Sequence, residues 1–239
     1  MTHLLRGELI KTVTTRTALA FALGGIAFTV LNVLMITKAS GTLDDLHEKE
    51  EALSGLPILL LLWGLVGAAG EYKHRTAAPA ALVARHGRAT ALMARIAAYA
   101  LTALLIGGLM IAISVGLALP LLADHPGTPL TAGGVTAIAA SDLAAFVLSA
   151  IMGAAIGALV RNPVAGVVIL LIVNFAVIPL IAGSHESLAN LTPFGAAGVL
   201  ARMTHDTTLS VAAAGWVLLA WTAAFVAVAF VSEQRRDLA

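Results

Sequence analysis

Six long apolar runs constrain this chain more than any other feature of its sequence. They cover residues 17–37, 52–70, 96–118, 143–160, 163–183 and 209–231. Each is close to the roughly 20 residues that an α-helix needs to cross about 30 Å of hydrocarbon. Strands of a membrane barrel would alternate apolar and polar residues over about 10 positions, whereas these runs are apolar on every face. The sequence therefore predicts an all-α polytopic membrane protein with six transmembrane helices.

Composition supports the same class of protein. Only 11% of the residues are charged, against about 25% in soluble domains. The first run follows a charged leader, residues 1–16, and has no convincing small-residue cleavage site, so we expect a retained span rather than a signal peptide. The chain contains no cysteine, which excludes disulfides and thiolate metal sites. We expect one transmembrane domain over residues 1–239.

The distribution of basic residues predicts the topology, because short loops rich in Lys and Arg stay in the cytoplasm. With six spans, one face carries eleven of the fourteen basic residues and the other carries three. The first set is Arg6, Lys11, Arg16, Lys73, Arg75, Arg85, Arg88, Arg95, Arg161, Arg235 and Arg236, and the second is Lys38, Lys49 and Arg202. Both termini are therefore predicted to lie in the cytoplasm, with the chain crossing the cell membrane six times.

The leader has the spacing of an amphipathic helix. Its apolar residues recur at helical intervals, and its charged residues occupy the remaining face. The apolar set is Leu4, Leu5, Leu9, Ile10 and Val13, and the charged set is Arg6, Glu8, Lys11 and Arg16. We expect a helix lying at the membrane interface before the first span. A solvated positive anchor for that span is the alternative.

The loop after the second span, residues 71–95 within "GEYKHRTAAPAALVARHGRATALMAR", is long and basic. Ala, Leu, Val and Arg dominate it, and Pro79 is suited to the first turn of a helix. The pattern over 79–88 places Leu82 and Val83 on one side and basic residues on the other, as in a helix that lies on a membrane or docks in a partner's groove. A simple positive-inside loop that fixes topology is the alternative.

Polar residues are rare inside the predicted spans. None of the six runs holds a charge near its middle, which disfavours an ion-coupled carrier and favours an apolar or amphipathic substrate. Asn32 and Asn174 are the most polar interior side chains, and we expect each to make an interhelical hydrogen bond. Gly153 and Gly157 form a G-x-x-x-G that we assign to packing within the chain.

Between the fifth and sixth runs, residues 184–208 are moderately apolar but interrupted by Pro193 and Gly195. We expect one or two short interfacial or re-entrant helices on the external side. Histidines beside acidic residues occur on that side too, at His125, His185 and His205. Neighbours in sequence do not share a helical face, so we expect solvated loop residues rather than a metal site.

Two stretches resemble a known family. The leader "RGELIKTVTTRTAL" resembles the E-L-x-K-x-x-T-x-R entry of actinobacterial ABC-2 type ABC transporter permeases, a class that includes drug-export permeases. The loop "GEYKHRTAAPAALVARHGRATALMAR" resembles their E-Y-R-H-G-T stretch after the second span. With six spans and inside termini, the resemblance covers the whole chain. The sequence departs from the family pattern at Arg75, where glycine is common, and at "VARHGR", where "ATPRRGR" is more usual.

The resemblance implies a permease subunit that pairs with a second permease copy as a homodimer, or with a related permease. Two copies of a separate ABC ATPase subunit would drive it. The leader would be an amphipathic connecting helix, and the loop a cytoplasmic coupling helix on the ATPase. The implied coupling residues are Glu71, Tyr72, Lys73, His74, Arg75, Thr76, Arg85 and Arg88. The family places the dimer seam near the first, second and fifth spans.

Any nucleotide chemistry would belong to the partner. The chain has no G-x-x-x-x-G-K-[ST], so we expect no catalytic, cofactor or metal site in it, and ATP and Mg²⁺ on the ATPase. Two other classes stay open. One is a non-transporting membrane anchor, immunity or regulatory subunit. The other is a membrane enzyme, which needs paired ionisable residues at the membrane boundary; in the sequence only Glu71 with Lys73 and Arg75 qualifies.

Overall fold

The computed structural model describes residues 2–39, 46–73, 87–126, 128–203 and 208–235, and the regular structure in these ranges is helical. The helices are α1 (Thr2–Thr14), α2 (Arg16–Ala39), α3 (Leu46–Leu53), α4 (Pro57–Lys73), α5 (Arg88–Leu122), α6 (Ala132–Val160), α7 (Pro163–Ile172), α8 (Ile178–Ser184), α9 (Glu186–Asn190), α10 (Pro193–Leu200) and α11 (Val211–Arg235). A π-helical turn, Val173–Val177, joins α7 to α8.

The prediction of six spans is confirmed. Within the described ranges, six helical stretches are long and apolar enough to cross a membrane: Arg16–Lys38, Leu46–Lys73, Arg88–Leu122, Ala132–Val160, Pro163–Ser184 and Val211–Arg235. The chain is an all-α multi-pass membrane protein. The predicted interfacial segment between the last two spans also forms two short helices, α9 and α10.

Helix α6 begins earlier than its apolar run. The run predicts a span from 143, but the helix starts at Ala132, where the Thr131 hydroxyl accepts the N–H of Gly134 at 3.1 Å and caps the first turn. Capping rather than hydropathy sets this boundary. Asp142, which precedes the apolar run, therefore lies inside the spanning helix, ten residues from its start.

The second span is interrupted. Helices α3 and α4 are separated by residues 54–56, which are largely buried although they are not helical. Non-helical backbone at this depth needs partners inside the protein. Asn32 of α2 donates to the carbonyls of Glu51 at 3.3 Å and Ser54 at 3.5 Å, which is the interhelical hydrogen bonding predicted for Asn32. The Ser114 hydroxyl of α5 donates to the carbonyl of Leu53 at 3.3 Å.

Helices α4 and α6 pack backbone against backbone in the centre of the bundle. A Cβ atom at Gly153 would overlap the carbonyl of Leu61, and one at Gly157 would overlap that of Leu65. Small residues permit this close approach of membrane helices. The interpretation of the G-x-x-x-G as packing within the chain is confirmed.

The two halves of the fifth span differ in how far they are buried. Its first half buries Gly166 and Leu170, but no residue from 173 to 184 is buried. Asn174 lies in the π-helical turn and is partly exposed. Its side chain makes no hydrogen bond to another described residue, and the interhelical hydrogen bond expected at Asn174 stays a prediction.

Candidate functional site

The first helix, the last turn of the final helix and the ends of three central helices meet at one end of the bundle, which we call the basic end. Five segments converge there: α1, the last turn of α4, the first turns of α5, the α6–α7 turn and the last turn of α11. Charged side chains from all five form one network. This network is the candidate functional site.

Glu71, in the last turn of α4, connects two other helices. Its carboxylate lies 2.6 Å from Nη2 of Arg95 in α5 and 2.9 Å from Nζ of Lys11 in α1. The Arg95 side chain is only 3% exposed, and it also lies 3.6 Å from Glu8 of α1. Removing one partner of a pair this buried leaves an uncompensated charge, so a single substitution here is expected to be strongly destabilising.

Tyr72 extends the network to the end of the chain. Its hydroxyl donates to Oε1 of Glu233 in α11 at 2.6 Å. The guanidinium groups of Arg161 and Arg95 lie 4.7 and 5.5 Å from the centre of its ring, within the range of cation–π attraction. One side chain of α4 thus contacts groups on three other segments.

The short turn between α6 and α7 positions Arg161. Arg161 adopts a left-handed conformation with φ of 57° and donates its N–H to the carbonyl of Gly157 at 2.9 Å, which ends α6. The Asn162 side chain then caps α7 by accepting from the amides of Val164 and Ala165, and Pro163 opens that helix. This tight turn directs Nη2 of Arg161 to Glu233 at 2.8 Å.

Helix α1 is helical as predicted, and the face that it packs against the bundle is polar. Glu8 and Thr12 are buried against α5, where the Thr12 and Thr102 hydroxyls lie 3.1 Å apart. Ile10 and Val13 are 55% and 51% exposed. Arg95 of α5 lies beside Glu8 and explains this orientation, because a buried carboxylate needs a nearby cation. The apolar outward face suits a lipid environment.

The predicted coupling residues fall into three groups. Glu71 and Tyr72 lie at the centre of the network. Lys73 is exposed at the end of α4, and Arg88 is the first residue of α5. The remaining four, His74, Arg75, Thr76 and Arg85, lie outside the described residues, as does most of the predicted helix at 79–88.

Sequence reasoning missed five members of the network: Glu8, Lys11, Arg95, Arg161 and Glu233. Positive-inside counting explained the cations by topology alone. The two carboxylates gave a usable signal, because an acidic residue beside a span on a predominantly basic face is unusual and suggests a cation from another helix. Tyr72 and Glu233 are 161 residues apart, so spacing could not pair them.

The ion pairs of this arrangement connect helices to one another. Glu8, Glu71 and Glu233 each lie against a cation, which fixes the relative positions of the helices that carry them. Helices α4 and α5 flank residues 74–86 in the sequence, and Glu71 of α4 is paired with Arg95 of α5 and with Lys11 of α1. A displacement of that segment would reach α4 and α5 directly, and α1 through Lys11.

Fold and site together define a class: a multi-pass α-helical membrane protein whose helix ends are joined by buried ion pairs beside a long basic loop. No protein-family model matches the chain, and no curated protein matches it. The function is therefore argued from the residues and their geometry.

Proposed function

We propose that this chain is the membrane-spanning permease subunit of an ATP-driven ABC exporter of the ABC-2 type. It would move a hydrophobic or amphipathic substrate, such as a drug, lipid or peptide, out of the cytoplasm. Its partners would be a second permease copy and two copies of a separate ATPase subunit carrying ATP and Mg²⁺. The proposal rests on the resemblance of the leader and of residues 70–95, together with the geometry of the basic end.

One observation carries the proposal. The two helices that flank the basic loop, α4 and α5, are joined to each other and to α1 through Glu71. The loop is the segment that the resemblance assigns to ATPase docking. A push on that loop would therefore move three helices as a unit rather than bend one helix end. The coupling of a docked ATPase to the transmembrane domain requires this kind of rigid connection.

The apolar character of the spans supports the substrate class. In the described ranges, the charged residues of the spanning helices lie toward the two ends of the bundle, and Asp142 belongs to the end opposite the basic end. An apolar or amphipathic molecule can pass along such helices without desolvating a charge. Substrates that carry several charges fit this interior poorly.

The first test separates docking from coupling. The tagged protein is purified from native membranes in mild detergent, co-purifying proteins are identified by mass spectrometry, and ATP hydrolysis is measured. We expect a P-loop ATPase at near-equal stoichiometry. Scrambling residues 79–88, or reversing the charges of Arg85 and Arg88, should remove it.

Glu71→Gln should have a different effect, because it loosens the helix connection without altering the docking segment. We expect the ATPase to stay bound, while transport per ATP hydrolysed falls by about tenfold or more. Glu48→Gln on α3, at the opposite end of the bundle, is the matched control. Recovery of the wild-type chain without an ATPase would contradict the proposal and favour the non-transporting anchor, immunity or regulatory subunit.

A further inference from the structure

A second polar cluster lies at the end of the bundle opposite the ion-pair network, and the proposed coupling does not use it. Its central residue is Asp142 of α6, which is 1% exposed. Neither carboxylate oxygen accepts a hydrogen bond from another described residue. An ionised carboxylate in this situation is costly, so Asp142 either stays protonated or pairs with a cation in another state of the protein.

Arg202 follows α10, whose buried end packs in one cluster with Ala145 of α6, three residues after Asp142, and its charge acts on that carboxylate. Arg202 adopts a left-handed conformation with φ of 55°. Its Nη1 lies 2.7 Å from Oε2 of Glu50 in α3, whereas its Nε is buried and has no hydrogen-bond partner among the described residues. The guanidinium therefore has one carboxylate bound and an unused donor, near a second carboxylate that is unpaired.

The other candidate partners of Asp142 are engaged elsewhere or are weaker. Lys49 is also buried at this end, but its ammonium donates to the carbonyls of Pro126 at 2.7 Å and Thr128 at 3.2 Å. The backbone N–H of Gly55, just before α4, faces the carboxylate without meeting hydrogen-bond geometry. The charged residues of α4 and α11 lie at the basic end.

We propose that Arg202 is a two-position switch that binds Glu50 in the present structure and Asp142 in a second state. An arginine has five N–H donors in a planar fork and can move between two carboxylates while keeping its charge paired. One cation with two alternative partners has two discrete states. A continuous deformation of packed helices would not produce two separate states.

The exchange would release α3 from the turn that follows α10. Helix α3 and helix α10 both lie at the end of the bundle where an exporter must release its substrate, and Glu50 to Arg202 is the salt bridge between them. The pair therefore acts as an external latch. Its role as a gate rests on the proposed function, but the exchange of partners does not.

The exchange can be tested on the purified protein because the chain has no native cysteine. Spin labels are attached at Leu46→Cys in α3 and Thr208→Cys after the turn, both exposed positions outside the latch. Their separation is measured by pulsed electron paramagnetic resonance in wild-type, Glu50→Gln, Asp142→Asn and doubly substituted backgrounds. The midpoint of thermal unfolding is measured for the same four proteins, with Glu48→Gln as the control.

We expect Asp142→Asn to leave the distance unchanged, because Arg202 stays on Glu50. Glu50→Gln should shift the distance to a second, longer value, because Arg202 then pairs with Asp142. The double variant should broaden the distribution. It should also lower the unfolding midpoint by more than the sum of the two single effects, because each single variant leaves Arg202 one carboxylate.

An unchanged distance in Glu50→Gln would overturn the switch, and so would additive losses in the unfolding midpoint. The Glu50→Gln measurement decides the matter even where Asp142→Asn does not purify, because Glu50 is not in the bundle core. Neither result bears on whether an ATPase co-purifies, so failure of the switch and failure of the proposed function are distinguishable.

Discussion

At the scale of single residues, the hydroxyl and the ring of Tyr72 make different kinds of contact. Its hydroxyl donates to Glu233, while its ring lies against Arg161 and Arg95. The phenol therefore makes a charge-assisted hydrogen bond and two cation–π contacts that different substitutions can separate. Sequence alone singled out Tyr72 through the motif, but none of its contacts, because each comes from a segment distant in the chain.

Tyr72→Phe should destabilise the protein by about 2 kcal/mol, the usual effect of losing a hydrogen bond to a charged group. Tyr72→Leu should add about 1–2 kcal/mol, because it also removes the ring that faces two cations. Thermal or denaturant unfolding in detergent measures both. Tyr99→Phe is the matched control, since the Tyr99 hydroxyl makes no hydrogen bond to another described residue. An equal loss in Tyr72→Phe and Tyr99→Phe would contradict this assignment.

At the scale of elements, apolar runs predicted which helices exist but not where they end. Hydropathy measures the stretch in contact with hydrocarbon, whereas helix ends depend on caps. Helix α6 starts at its Thr131 cap, and α5 runs for 35 residues, about 52 Å, well beyond its apolar run. The interruption between α3 and α4 was also unforeseen, because buried partners on other helices stabilise it.

The contact between α4 and α6 predicts an asymmetric response to glycine substitution. Gly153→Ala should destabilise by at least about 2 kcal/mol, because the added Cβ meets the carbonyl of Leu61 and the two backbones must separate. Gly108→Ala in α5 is the control. Its Cβ would enter open space, and Ala is favoured over Gly inside a helix by about 1 kcal/mol. Unfolding curves showing equal effects would mean that the two helices do not pack this closely.

At the scale of the whole molecule, the structure shows which segments lie at the same end of the bundle, and the charge pattern predicts which end faces the cytoplasm. Contacts place α1, the α6–α7 turn and the end of α11 at one end of the bundle. This is the arrangement expected of six spans with both termini on one side. Geometry alone does not say which side faces the cytoplasm. That assignment comes from the sequence, in which eleven basic residues fall in segments predicted for one face and three in segments predicted for the other.

Cysteine accessibility tests the orientation. His3→Cys lies on an exposed surface at the basic end and Leu46→Cys on an exposed surface at the opposite end, so each reports one side of the membrane. On intact cells, a membrane-impermeant maleimide should label Leu46→Cys and should label His3→Cys only after permeabilisation. The reverse pattern would place the loop 74–86 outside the cell, where no ATP-driven partner could bind it, and would exclude the exporter mechanism whatever the strength of the ion-pair network.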